Sequence, residues 1–154
     1  MAVNFKKRKT TEYITIHCSA TQPKADIGKR EIDGWHRQRG FLGIGYHFVI
    51  KRDGTIEEGR PVDAVGSHVK NFNSNSVGVC LVGGVDAALK PENNFTDAQF
   101  HSLALLLAGL KNKYPAAKIR GHRDFPNVAK ACPSFEVADW LKDPKVQELM
   151  GTNK

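Results

Sequence analysis

The chain predicts an α/β fold: a single domain with a central mixed β-sheet flanked by helices. Two observations carry this reading. Segments that alternate apolar and polar residues interleave with segments of helical period in the order β-α-β-β-β-α-β-α. The 154 residues suffice for one domain with one real core, and no repeat, low-complexity stretch or linker divides them.

In order, Lys6-Lys7-Arg8-Lys9 belongs to a basic arm over residues 1–11, expected to be a solvated tail. Tyr13 to Cys18 is a strand that places Thr15 and His17 on one face and Ile14, Ile16 and Cys18 on the other. Asp26 is positioned to cap a helix that runs to about Arg39, with Ile32 and Trp35 as its apolar face and Gly40 as its stop. Residues 46–58 read as a β-hairpin, with Phe48, Ile50 and Ile56 in alternation and Asp53-Gly54 at the turn. Residues 76–82 form a short apolar strand that ends at Gly83-Gly84. Thr96 and Gln99 then make a capping box, with Phe95 stapled onto Phe100. The helix behind them buries Phe100, Leu103, Leu107, Leu110 and Tyr114, and Pro115 stops it. A strand over residues 118–121 delivers His122, Ser134 caps a short helix bearing Trp140, and residues 145–154 are expected to fray.

Composition excludes several classes. Hydrophobic residues at 40% and charged residues at 25% are ordinary for a globular protein, which argues against a disordered or fibrous chain. No apolar run approaches the ~20 residues a membrane-spanning helix requires, so membrane insertion is not expected. The basic amino terminus lacks a following apolar segment, so it does not read as a signal peptide, and the chain is expected to be made and kept in a cytoplasm. A net charge of +7 fits an anionic partner, whether nucleic acid, membrane surface or acidic wall polymer, and fits a merely solvated basic surface equally well. An odd set of three cysteines in such a chain argues against a disulfide framework. Cys18 and Cys80 sit in strand patterns and read as small buried hydrophobes, whereas the polar run around Lys130 favours a thiolate at Cys132.

The chemistry concentrates in the run from Lys118 to Phe135, where His122, Lys130 and Cys132 share one turn-rich segment. Imidazole and thiolate are zinc donors, and a catalytic zinc takes three protein ligands and an open fourth position. The best third ligand is His17, mounted on the end of the first strand. Of the six histidines, His36 and His101 lie in helices and read as surface or boundary residues, while His17, His47, His68 and His122 lie at or near strand ends. Lys130 is placed to stabilise an oxyanion. Tyr46, taken alone, reads as a core aromatic, His47 as packing behind the site, and His68 and Asn75 as part of a polar, glycine-punctuated loop.

His17-Cys-Ser-Ala-Thr, Gly45-Tyr46-His47 with the run that follows, Gly66-Ser-His68, Asn75-Ser-Val-Gly-Val, and His122 to Lys130-Ala-Cys132-Pro occur in that order. Together they resemble the zinc-dependent N-acetylmuramoyl-L-alanine amidases of the amidase and peptidoglycan-recognition family, which includes small phage endolysins. The resemblance covers residues 5 to about 140. It implies that His17, His122 and Cys132 hold one zinc per chain, that Tyr46 and Lys130 are catalytic, and that His68 and Asn75 line the substrate groove. It also implies peptidoglycan as substrate, cut at the amide between the lactyl group of N-acetylmuramic acid and L-alanine, by a monomer. Such an enzyme acts in host lysis, reaching the wall from the host cytoplasm once the inner membrane is opened. Some phage members also bind and restrain their phage RNA polymerase, so that partner is a further expectation. Two alternatives stay open. One is a zinc-free recognition module on the same fold, against which the retained Cys132 counts. The other is a cysteine hydrolase with Cys132 as nucleophile and His122 as base.

Overall fold

The computed structural model describes residues 5–128 and 130–151. Strand β1 (Tyr13–Cys18) lies inside a five-stranded sheet of order β3-β2-β4-β1-β5, with β2 (Phe48–Ile50), β3 (Ile56–Glu58), β4 (Ser76–Leu81) and β5 (Lys118–Gly121). It pairs in parallel with β4 on one side and β5 on the other, β2 pairs in parallel with β4, and only the β2–β3 hairpin is antiparallel. The sheet is therefore mixed, and the chain is a single α/β domain as expected.

Alternation along β1 and β4 divides the core into two layers. On one face Ile14, Ile16, Val77, Val79 and Leu81 pack against Leu103, Leu107 and Leu110 of helix α2 (Asp97–Lys113). Full burial of a side chain such as Leu103 contributes roughly 1.5–3 kcal/mol. On the other face Val49, Cys80 and Val82 pack with Ile44 and with Ile32 of helix α1 (Lys29–Gln38). The α2 start is built as its sequence predicts. Thr96 Oγ1 accepts the Gln99 N–H at 3.1 Å, Gln99 Oε1 accepts the Thr96 N–H at 2.9 Å, and the Phe95 and Phe100 rings meet edge to face at 5.9 Å. Gln99, fully buried, also donates its amide to the carbonyls of Ile50 and Val82, so the cap ties α2 to the sheet.

Several expectations need correction. Helix α1 starts after Gly28 rather than Asp26, because Glu31 accepts the Gly28 N–H and Glu57, from β3, accepts that of Lys29. Trp35 is 42% exposed, and the residue buried one turn beyond Ile32 is His36. Within the hairpin Gly54 alone takes a positive φ, and Ile56 is 40% exposed. Ser134 caps no helix; its hydroxyl donates to the Gly84 carbonyl at 2.9 Å, and α3 (Val137–Leu141) begins after Glu136.

The two chain ends differ most from expectation. Residues 145–150 of the supposed frayed tail belong to helix α4 (Pro144–Met150), capped by Asp143, packed on α2 and burying Val146. The described part of the arm is docked through its backbone and Arg8, while Lys6, Lys7 and Lys9 stay exposed. Lys7 bridges to Ala64, and the Arg8 N–H donates to the Asp63 carbonyl at 2.7 Å. The Arg8 guanidinium donates to Thr11 Oγ1, the Ala64 carbonyl and the Tyr114 hydroxyl. Residues 1–4 of the arm and 152–154 of the tail lie outside the described residues.

Candidate metal centre and active site

In open α/β sheets, sites form beyond the carboxyl ends of parallel strands where neighbouring connections diverge. Here β1 and β5 end side by side and deliver His17 and His122 to one spot, their rings 4.6 Å apart. His122 opens a short 3-10 turn, His122–Asp124, that is held by the Gly121 N–H donating to Asp124 Oδ2 at 2.9 Å. Cys132 returns to the same spot because its carbonyl accepts the Arg123 N–H at 2.9 Å, while its sulfur accepts the Cys18 N–H at 3.2 Å.

His17, His122 and Cys132 each offer one donor atom, and these atoms lie within 4.8 Å of one another. His17 Nδ1 stands 3.9 Å from Cys132 Sγ. Tetrahedral zinc bonds of about 2.0 Å to nitrogen and 2.3 Å to sulfur give a nitrogen–sulfur edge of roughly 3.6 Å. The observed spacing is a few tenths of an ångström from that edge, and two imidazoles with one thiolate are the donors zinc prefers. The residues fit the ion.

The electrostatics favour unprotonated nitrogen. Burial, followed by the fields of His68, His122, Lys130 and His36, holds the His17 pKa well below its ordinary value. Burial and then Lys130 lower that of His122. Without a metal, hydrogen bonding to Cys18 and then burial push the Cys132 thiol up, opposite to the sequence expectation. A divalent cation reverses that balance, since a coordinating thiol is deprotonated. Cys18, in turn, is buried as expected but is not merely filler, because its backbone supports the ligand sulfur.

These residues line an open cleft of about 690 Å³, together with Tyr46, Lys130, His36, Arg39, Lys70 and others. Tyr46 sits just before β2, with its ring 5.0 Å from that of His17 and its carbonyl accepting the Arg60 N–H at 2.9 Å. Burial, then the neighbouring cysteines, raise its pKa well above the ordinary phenol value, which keeps it a hydrogen-bond donor at neutral pH. Lys130 is exposed on the cleft wall, where its charge reaches His17 and His122.

Of the two expected groove residues, one lands elsewhere. Asn75 precedes β4, at the end of the sheet opposite His17, and donates its amide to Glu12 at 2.8 Å. It does not line the cleft. His68 does reach the cleft wall, but one ring nitrogen faces His17 and the other faces the Ser76 carbonyl, so neither is directed to a substrate. His36 was missed as a site residue. Its Nδ1 accepts the Gly45 N–H at 2.8 Å, and its ring packs 5.3 Å from Tyr46. The available signal was its spacing of four from Ile32, which places both on one helix face.

His47 plays the packing role expected of it, fully buried behind His68. Its Nε2–H donates to the Ala64 carbonyl at 2.8 Å, and its Nδ1 accepts the Gly78 N–H at 2.9 Å. That pairing admits only the neutral ring, and burial lowers the pKa from 6.5 to about 4. Because the folded pKa is depressed, the stabilisation is complete above pH 6.5 and is lost as pH falls toward 4, a span worth roughly 3 kcal/mol. Urea unfolding of metal-free wild type and His47→Gln at pH 7 and pH 4 checks this. The wild type is expected to lose roughly 3 kcal/mol more than the variant, and equal losses would refute the assignment.

The sheet and the cleft define a class: α/β domains that carry a His-His-Cys triad able to hold a metal ion at the carboxyl ends of a mixed sheet. Residues 7–135 match the family model described as N-acetylmuramoyl-L-alanine amidase, and the chain belongs to that family. It is 55% identical over 138 residues to the endolysin of Klebsiella phage KP32, covering 90% of each chain. It is 53% identical over 138 residues to the endolysin of Escherichia phage T7, again covering 90% of each. Among solved structures, the amidase LysC from Clostridium intestinale superposes with a TM-score of 0.74 at 29% identity, covering 98% of this chain and 96% of that one. The protein is thus a peptidoglycan-hydrolysing amidase of the phage endolysin kind. Among the described residues, no helix is long and apolar enough to cross a membrane.

Proposed function

We propose that the chain is a zinc enzyme that cuts the amide between the lactyl group of N-acetylmuramic acid and L-alanine during phage-induced lysis. One observation carries the metal assignment: two imidazoles and a thiol, from the end of β1 and from the run that follows β5, converge within 4.8 Å on the wall of an open cleft. His17, His122 and Cys132 would hold one zinc ion per chain. Bound there, zinc supplies Lewis acidity, bringing the ionisation of water down to about pH 7 and polarising a carbonyl oxygen.

The remaining work falls to the protein. Tyr46 donates its phenolic hydrogen toward the oxygen that gains charge as the amide is attacked, and Lys130 supplies positive charge from the cleft wall. The net charge of +7 favours approach to an anionic wall polymer. The enzyme acts as a monomer that reaches the wall from the host cytoplasm after the inner membrane is opened, and the phage RNA polymerase is its second partner; co-elution of the two purified proteins on size exclusion tests that partner and the monomeric state together.

Elemental analysis of the purified protein is expected to find about one zinc per chain, since sites of this kind bind tightly at neutral pH. Chelation should abolish lysis of cell walls, and added zinc should restore it. Undiminished lysis by the metal-free protein would overturn the zinc assignment and favour Cys132 as a nucleophile.

A further inference from the structure

Behind His17 lies a second imidazole, His68, that the chemistry above does not use. Its loop is fixed by Asn73, whose Oδ1 accepts the backbone N–H groups of His68 at 2.7 Å and Val69 at 2.8 Å. The ring occupies a slot made by two glycines. A Cβ on Gly66 would lie 2.6 Å from His68 Cδ2, and one on Gly78 would lie 2.7 Å from both Cγ and Nδ1. Real Cβ atoms do not approach that closely, so any side chain at either position would displace the ring.

From this slot the ring makes two contacts. His68 Nε2 lies 3.3 Å from the Ser76 carbonyl oxygen, and His68 Nδ1 lies 2.9 Å from His17 Nε2. A backbone carbonyl only accepts, so His68 Nε2 must carry the hydrogen. The neutral His68 then has a lone pair at Nδ1, and His17 must donate its Nε2–H to it. That leaves the His17 lone pair on Nδ1, the atom 3.9 Å from Cys132 Sγ. For the neutral pair, the direction of both bonds is thus set by a backbone carbonyl at the start of β4.

We propose that His68 is a positioning residue for the metal ligand His17: the relay from the Ser76 carbonyl through His68 fixes the tautomer and ring orientation that aim His17 Nδ1 at the metal. This rests on the metal assignment made above. It also gives Gly66 and Gly78 a purpose, because together they make room for the relay ring. Partners that orient a metal-binding imidazole through its other nitrogen typically contribute about 10–100-fold to affinity.

The test compares His68→Leu, which removes the acceptor, with His68→Asn, whose Oδ1 stands near the position of Nδ1 and can still accept from His17. Zinc affinity is read by competition with a chromogenic chelator. His68→Leu is expected to bind zinc about 10–100-fold more weakly, and His68→Asn to recover most of that loss. Unchanged affinity in the leucine variant, or equal loss in both, would overturn the proposal. An independent measurement uses the metal-free wild type labelled with nitrogen-15. A scalar coupling across the hydrogen bond between His17 Nε2 and His68 Nδ1 should be visible, and its absence would also sink the relay. A wild type that binds no zinc, yet shows the coupling, would instead refute the metal assignment.

Discussion

Cys132→Ser is expected to give a folded protein that holds little zinc and whose lysis of cell walls falls to the blank. Cys132 is only partly exposed, and its backbone is held by Arg123 whatever its side chain, so the substitution removes little packing. It does remove the one donor of the triad that a bound cation can hold as an anion at neutral pH. A serine hydroxyl does not ionise there, and zinc sites of this kind are built from thiolate and imidazole. The Cys18 N–H, now 3.2 Å from the sulfur, would still find an oxygen acceptor, so stability should change far less than metal content. Three measurements together decide: circular dichroism for the fold, elemental analysis for the metal, and turbidity of a wall suspension for activity. A folded Cys132→Ser protein that retains full zinc would remove Cys132 from the ligand set. A metal-free one with full lysis would remove zinc from the reaction.

The parts of this molecule that were legible in sequence are those in which one residue type has one use. β1, α2 with its capping box and β5 follow from local pattern, and the structure places them accordingly; His17, His122 and Cys132 were chosen on donor chemistry, and their donor atoms lie within 4.8 Å of one another. The misreadings have a common cause, which is tertiary contact invisible to local pattern. Arg8 reads as a solvated cation, but it finds the Tyr114 hydroxyl and the Ala64 carbonyl, partners far away in sequence. The start of α1 is displaced because Glu57, from another element, caps it. His68 and Asn75 were grouped because they share a polar loop. The chain between them descends from the site to the opposite end of β4, so that only His68 reaches the cleft. Gly66 and Gly78 are the most instructive case. Each sits in a motif that read only as a family signature, and the physical reason for both, room for one ring, appears only when two strands and a loop are assembled.

The second large effect is expected at the two residues assigned to charge stabilisation. Tyr46→Phe and Lys130→Ala should each fold, keep about one zinc per chain, and lose roughly 10²–10³ in turnover, which is the usual scale for removal of one such donor. For Tyr46 the ring packs beside His17 and His36, contacts that phenylalanine preserves, so the substitution removes the hydroxyl and, with it, its hydrogen bond to the buried Cys80 thiol. The raised pKa of that hydroxyl means the proton is present throughout the neutral and mildly alkaline range, so wild-type activity should show no fall there from Tyr46 ionisation. Lys130 is exposed and makes no ion pair among the described residues, so its removal costs little stability. Its positive charge depresses the pKa values of His17 and His122, so Lys130→Ala should leave both imidazoles somewhat more basic and zinc binding slightly more sensitive to acid. Turnover of a soluble muramoyl peptide, measured with metal content on the same samples, separates the two roles. A loss in the rate constant at constant zinc supports charge stabilisation. Loss of zinc from either variant would make that residue a support of the metal site, and unchanged turnover would leave the oxyanion without the partners assigned to it.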